Sequence, residues 1–363
     1  MSVKRIAIVT GGGDCPGLNA VIRAATTTAI REHGIDVVGI EDGFLGLVEP
    51  RVRLMPLDLE RVRDILPKGG TILGTTNRGK PFGYPVKQAD GSVIYEDRSK
   101  LMLQRLEDLG IDAIVMIGGD GTMAIAQRLR EMGVQVVGVP KTIDNDLSVT
   151  DYTFGFDTAC NIAMEALDRL HTTAYSHDRA MFVEVMGRHA GWIAMHAGLA
   201  AGADVILLPE IPYRVDSVVA KIRERQARGV TFSIIVVAEG AVPQDGEISM
   251  MQDKYTSRQR LGGAAHRIAD AVCDQIDLEV RVTVLGHIQR GGTPSHFDRV
   301  LGTRFGHAAA QLVADGEFGR MVTLSGLEVR DCDIQDAINK PNLVDPNGQM
   351  VQAARALGVC MGD

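Results

Sequence analysis

DAIVMIGGDGTMAIAQRLREMGVQVVGVPKTIDNDL, Asp112–Leu147, is the stretch whose reading decides the fold. Two short runs in it, DAIVMI and VQVVGV, are β-branched and largely uncharged, as buried parallel strands are. Each runs straight into a loop, IGGDGT (Ile117–Thr122) after the first and PKTIDNDL (Pro140–Leu147) after the second. Between them, MAIAQRLREMG carries apolar residues at helical spacing and stops at Gly133. The pattern predicts strand–loop–helix–strand–loop, with both loops delivered to the carboxyl edge of one sheet, where open α/β folds bind ligands. Glycines there let backbone N–H groups close around phosphate oxygens. Carboxylates there can hold Mg²⁺ or accept a proton. Together these features point to phosphoryl transfer.

Working outward, RIAIVT (Arg5–Thr10) predicts a first buried strand, followed by GGGDCPG (Gly11–Gly17) and a helix from Leu18 to about His33. The second Gly-Gly-Asp, Gly12–Asp14, suggests two jaws around a polyphosphate, although a single such loop can be only a tight turn. Lys68–Pro85 (KGGTILGTTNRGKPFGYP) reads as a surface loop or as an anion-contacting lid. DGFLGL after the strand Ile35–Ile40 reads as a loop with exposed apolar residues, and Val86–Tyr95 as a hairpin around Asp90-Gly91. Further strands are expected at Arg179–Met186, Asp204–Glu210, Phe232–Gly240 and Glu279–Gly292 (strand, then loop), with a helix around Ser257–Ile276. After a helix near Asp298–Leu312 the pattern weakens, and Asp345–Asp363 reads as a tail over the surface. The expected fold class is α/β, with two similar doubly wound lobes, mainly parallel sheets and helices on both faces. The expected division is 1–150 for one lobe with a late segment returning to it, 151–310 for a second lobe, and 311–363 packing over both.

Asp120 reads as a helix N-cap or as a Mg²⁺ contact, and the glycines on both sides favour the contact. Asp144 and Asp146 flank Asn145 and read as an Asx-turn cluster or as a proton acceptor beside a metal-placing group. Arg179, Arg281 and Arg78 would each be an ordinary solvated charge in isolation. Arg188 and Arg290 abut glycines on loops after strands, where a planar guanidinium suits bidentate phosphate binding. His287 shares the Arg290 loop and reads as a phosphate or hydroxyl contact.

The chain of 363 residues is long enough for two full cores. Its formal charge of −8 argues against nucleic acid or an anionic membrane as the main partner. Five widely spaced cysteines without a C-x-x-C pair predict reduced thiols in a cytoplasmic protein. No apolar run approaches the ~18–20 residues that span a bilayer, and no signal region opens the chain.

GGGDCPGLN, GGTILG, IGGDGT, PKTIDNDL, SHDR, VEVMGRHAGW, VVAEG and RVTVLGHIQRGG, in this order, resemble the phosphofructokinase family over essentially the whole chain. The resemblance implies transfer of a phosphoryl group to the 1-hydroxyl of fructose 6-phosphate. It implies Asp144 as general base, Asp120 as the Mg²⁺ carboxylate, and Thr142 and Asp146 as sugar or metal contacts. Arg188 would steady the transferring phosphoryl with Gly12 near it, and Met186, Gly187 and Glu239 would hold the sugar. His287, Arg290, Arg179 and Arg281 would bind its 6-phosphate, the last two from a neighbouring subunit, so a homodimer or homotetramer is implied. The donor would lie on Gly12, Gly119, Asp120, Gly121, Thr122, Arg78 and Lys141.

By resemblance, the residue after Gly-Gly-Asp separates ATP users (glycine) from pyrophosphate users (aspartate). Gly121 favours ATP, whereas Lys141 is shared with the pyrophosphate enzymes. The pair marks the mixed group of the family, and the excluding power of a carboxylate makes Gly121 the more telling residue. Pyrophosphate as donor and a non-catalytic sugar-phosphate sensor are the alternatives. Two departures stand out. Asn77 occupies the usual place of an arginine, with Arg78 or Lys80 beside it. Thr27 and RQARGVT (Arg225–Thr231) replace basic effector residues, so regulation by ADP or phosphoenolpyruvate is expected to be weak; sigmoidal fructose 6-phosphate kinetics relieved by ADP would overturn this.

Overall fold

A computed structural model of the chain describes residues 3–76, 80–252 and 259–363. Its contacts divide into two units. The first is Met1–Ile143, Leu147–Asp157 and Arg290–Pro341; the second is Asp144–Asp146, Thr158–Gln289 and Asn342–Asp363.

The first unit is built on a seven-stranded sheet. Its order is Glu328–Asp333, Arg320–Ser325, Val136–Pro140, Ala113–Gly118, Arg5–Thr10, Asp36–Ile40 and Leu54–Leu57. The five inner strands are parallel and the two outer ones antiparallel. Ile6 lies opposite Ala113 and Thr10 opposite Ile117. Every residue of Ala113–Gly118 is buried, which explains its uninterrupted apolar run. Burying Ile114, Val115 and Ile117 stabilises the fold by roughly 1.5–3 kcal/mol each. The chain winds outward from Arg5–Thr10 on one side to Asp36–Ile40 and on the other to Ala113–Gly118 and Val136–Pro140. The winding reverses between the first strand and Ala113–Gly118, and the Gly-rich loops leave the sheet on either side of that switch. Helix Leu18–His33 ends where Gly34 turns left-handed (φ 64°) and its N–H returns to the Ala29 and Ile30 carbonyls.

The second unit is built on a wholly parallel four-stranded sheet, ordered Glu279–Val284, Arg179–Val185, Ser233–Ala238, Val205–Leu207. Ser233–Ala238 is buried throughout. Phe182, Val205, Leu207, Val218, Ile222, Ile235 and Ile268 pack into one core. The α/β class with mainly parallel sheets is therefore as expected, in a larger and a smaller version.

Several local expectations differ. Leu45–Val48 of DGFLGL is a short helix, and Phe44, Leu47 and Val48 are buried because they join one core with Ala7, Val9, Ile40 and Met102. The hairpin falls where expected, as Tyr84–Lys87 and Val93–Glu96. The helix expected around Ser257–Ile276 starts at Ala264; Gln259–Leu261 instead pairs with Met250–Gln252, and 253–258 lie outside the described residues. Where the pattern weakens, Arg320–Ser325 joins the first sheet beside Val136–Pro140. The expected surface tail is a built part of the second unit. It contains helix Gln349–Ala356 with Val351 and Ala354 fully buried, and Cys360 hydrogen-bonds along the sheet edge at Asp204 and Ile206. The late return to the first unit begins at Arg290, before 311, because helix His296–Asp315 packs along Leu18–His33.

Candidate active site

In the first unit, the loops after Arg5–Thr10, Ala113–Gly118 and Val136–Pro140 lie side by side. The Gly11 N–H donates to the Ile117 carbonyl at 2.9 Å and the Lys141 N–H to the Gly118 carbonyl at 3.0 Å. A Cβ added to Gly119 would stand 3.3 Å from the Lys141 carbonyl, so that loop runs backbone to backbone against PKT. The Lys141 side chain is buried and donates to the Gly13 carbonyl, which ties the PKT loop to the first Gly-rich loop. Thr122 is also buried and closes on the backbones of Gly11 and Gly118, where it acts as packing beneath the loops. Gly12 has φ 78°, a conformation few other residues adopt.

Asp120 is exposed at the first turn of helix Asp120–Glu131, where the macrodipole favours negative charge. A Cβ on Gly121 meets nothing within 4 Å, so the space beside Asp120 is open. Among the described residues there is no cluster of three or more metal-ligating side chains. One exposed carboxylate with open space beside it fits Mg²⁺, which takes one or two carboxylates and leaves its other positions to phosphate and water.

The Lys68–Pro85 loop is anchored over its first half. The Thr75 hydroxyl donates to the Gly12 carbonyl at 2.6 Å and the Thr10 hydroxyl to the Gly74 carbonyl at 2.7 Å. Asn19 accepts the Ile72 N–H at 2.9 Å. Asn77 and Arg78 lie outside the described residues, as does any contact of Arg78 with a donor.

Burial alternates along the acidic loop. Ile143, Asn145 and Leu147 are buried while Thr142, Asp144 and Asp146 are half-exposed. The Thr142 carbonyl accepts the Thr153 hydroxyl at 2.7 Å. Asn145 is left-handed at φ 51°, a turn that asparagine tolerates better than most residues. Asp144–Asp146 belong to the second unit.

There, the loops at the carboxyl edge interlock. Gly187 has φ 133°, and a Cβ on it would stand 2.8 Å from the Ala190 carbonyl, so only glycine makes this turn. The Glu239 N–H donates to the Val185 carbonyl at 2.8 Å and the Gly240 N–H to the Gly187 carbonyl at 3.1 Å. The Met186 N–H donates to Gln289 Oε1 at 2.9 Å, which joins this edge to the turn Gly286–Arg290. Met186, Gly187, Arg188, Glu239 and His287 are thus gathered on one edge, with Arg188 and His287 exposed.

Arg179 and Arg281 are not gathered with them. Arg179 opens its strand at the amino end of the sheet, and Arg281 is third of six in its own, so neither lies at the carboxyl edge. Six strand residues, about 20 Å, separate Arg179 from the loop that begins at Met186. The two guanidiniums share one carboxylate, Glu279: Arg179 Nε lies 2.6 Å from its Oε2 and Arg281 pairs with its Oε1. Arg290 falls in the first unit, where its Nη1 donates to the Asp14 carbonyl at 3.1 Å.

Sequence reasoning missed three residues that hold these loops. Gln289, inside GHIQRGG, is fully buried. Glu210 accepts the Gly191 and Val344 N–H groups at 3.0 and 2.9 Å, and burial pushes its carboxyl above the ordinary value. Asn342 lies in a stretch without periodicity. Gln289 alone had a signal, its place between the two conspicuous residues of that loop.

The structure thus defines an α/β protein with glycine-rich loops and an exposed carboxylate at a topological switch. The phosphofructokinase family profile matches residues 5–313. An ATP-dependent 6-phosphofructokinase 2 of Clostridium perfringens is 50% identical over 370 residues, 99% of each chain. A pyrophosphate–fructose 6-phosphate 1-phosphotransferase of Streptomyces coelicolor is 50% identical over 345 residues, 94% of this chain and 96% of its own. The crystal structure of Pichia pastoris phosphofructokinase in the T-state superposes with TM-score 0.79 at 30% identity; 99% of this chain is covered, and it spans 37% of that longer chain. The chain belongs to the phosphofructokinase family.

Proposed function

We propose that this chain is an ATP-dependent 6-phosphofructokinase. It transfers the γ-phosphoryl of ATP to the 1-hydroxyl of fructose 6-phosphate, giving fructose 1,6-bisphosphate and ADP as a step of glycolysis. The observation that carries the donor assignment is the open space at Gly121. Relatives named for ATP and for pyrophosphate both reach 50% identity, the former over 99% of this chain and the latter over 94%. Lys141, the residue shared with pyrophosphate enzymes, is engaged with the Gly13 carbonyl.

In this mechanism Met186, Gly187 and Glu239 hold the sugar, and His287 and Arg290 take its 6-phosphate. Asp144 accepts the proton of the 1-hydroxyl as that oxygen bonds to the γ-phosphorus, and the bond from γ-phosphorus to the bridging oxygen of ADP breaks. Arg188 and the Gly12 amide stabilise charge on the transferring group, and Thr142 and Asp146 position the acceptor. Gly119, Gly121 and Thr122 shape the donor loop, with Arg78 and Lys141 supplying positive charge. Asp120 would hold Mg²⁺, which neutralises phosphate charge when bound.

Arg179 and Arg281, away from the carboxyl edge of their sheet, serve the 6-phosphate of a neighbouring copy, so the working form is a homodimer or homotetramer. The protein works in the cytoplasm; no helix among the described residues is long and apolar enough to cross a membrane. Coupled assays with each donor at saturating fructose 6-phosphate test the reading. ATP is expected to give the higher kcat/KM, and a preference for pyrophosphate would overturn the donor assignment.

A further inference from the structure

Asn342 engages the Asp144–Asp146 turn and helix Trp192–Ala200 of the second unit at once. Its N–H donates to the Asp146 carbonyl at 2.8 Å and its side-chain Nδ2 to the Asn145 carbonyl at 2.9 Å. Its own carbonyl accepts the indole N–H of Trp192 at 2.9 Å. Two residues on, the Val344 N–H reaches Glu210 Oε1, and that same oxygen accepts the N–H of Gly191, the cap of helix Trp192–Ala200. Asn342–Val344 is therefore a strap between the Asp144–Asp146 turn and the helix that follows Met186–Arg188. The turn needs a hold, because Asn145 sits in the left-handed region that L residues disfavour.

We propose that Asn342 is a positioning residue for phosphoryl transfer. On the kinase reading above, on which this rests, it fixes the loop carrying the general base relative to the loop carrying Arg188. It touches no reacting atom in this scheme, and it works by limiting how far Asp144 strays from attack geometry. Small displacements of a catalytic group carry large kinetic penalties.

Asn342→Ala removes the Nδ2 donor and leaves both backbone bonds of the residue. In the full-length protein, kcat is expected to fall about tenfold, with KM for fructose 6-phosphate and ATP within about twofold. Trp192 is the single tryptophan of the chain, and because the Asn342 carbonyl that its indole N–H reaches is kept in the variant, its emission is expected to hold its wavelength, so that the kcat loss is read with the strap still in place. Val351→Ala serves as the control, since it loosens the same C-terminal segment at a fully buried position in helix Gln349–Ala356, outside the Asn342–Val344 strap. It is expected to lower Tm and leave kcat near wild type. Asn342→Ala turning over like wild type would overturn the proposal, and so would an equal kcat loss in Val351→Ala. Wild-type protein inactive with both ATP and pyrophosphate would instead sink the kinase reading, and the positioning role with it.

Discussion

Replacing Gly121 by aspartate separates donor choice from folding. The position lies in the first turn of helix Asp120–Glu131, has room for a side chain, and is not in the positive-φ region. A non-glycine residue there gains helix propensity of about 0.5 kcal/mol, and a carboxylate near a helix N-terminus adds about 0.3–1 kcal/mol. Tm is therefore expected to hold or rise by a few degrees. The same carboxylate would stand in the space assigned to the nucleotide's α-phosphate and ribose. At about 5 Å from a phosphate charge, with an effective dielectric near 20, the repulsion is about 3 kcal/mol. That corresponds to about a hundredfold loss of kcat/KM for ATP. Pyrophosphate, lacking the nucleotide, is expected to lose less than about fivefold. The measurement is kcat/KM with each donor, alongside a thermal melt of the same preparation. Equal losses with both donors, or a loss with a falling Tm, would refute the reasoning.

Asp144→Ser is expected to reduce kcat by about 10³-fold or more while fructose 6-phosphate KM changes little; a near-normal kcat would remove Asp144 from the base role. Mixing inactive Asp144→Ser with inactive Arg281→Ala is expected to restore about a quarter of wild-type activity once subunits exchange, and no recovery would place Arg281 outside a neighbour's site. Glu210 has its carboxyl raised by burial, so the folded state binds its proton more readily than the unfolded chain. Its contribution therefore falls as pH rises from the ordinary value of 4.5 through the raised one. Glu210→Gln, which keeps an oxygen for Gly191 and Val344, should flatten that part of the stability profile; an unchanged denaturation profile would contradict it. A Cβ on Gly240 would collide with the Arg188 carbonyl, so Gly240→Ala should cost about 1–3 kcal/mol and lower kcat. A variant with wild-type Tm and rate would show that the Arg188 loop has slack.

The parts of this fold legible in the sequence are those where one local signal suffices. Ala113–Gly118 is buried on both faces, so it is apolar throughout, and the chain must turn sharply at its end, so glycines follow. Arg320–Ser325 escaped notice because it is a short run, RMVTLS, with polar residues at both ends and a hairpin after it. The tail escaped because its anchors are single contacts made far away in sequence, such as Trp192 with the Asn342 carbonyl. The division at Ile143 and Leu147 has no local mark, since Asp144–Asp146 leaves and returns within one motif. The Gly-rich and acidic loops were legible as loops at the sheet's carboxyl edge because their composition is costly elsewhere. Glu210, Gln289 and Asn342 resemble any polar surface residue until their partners are known.

The most direct measurement follows the phosphorus. Purified protein is incubated with fructose 6-phosphate, Mg²⁺ and ATP labelled in the γ-phosphoryl, and the products are resolved. The account expects label on carbon 1 of fructose 1,6-bisphosphate with one ADP formed per sugar. Unlabelled sugar with ATP intact, while pyrophosphate is consumed in a parallel reaction, would contradict it.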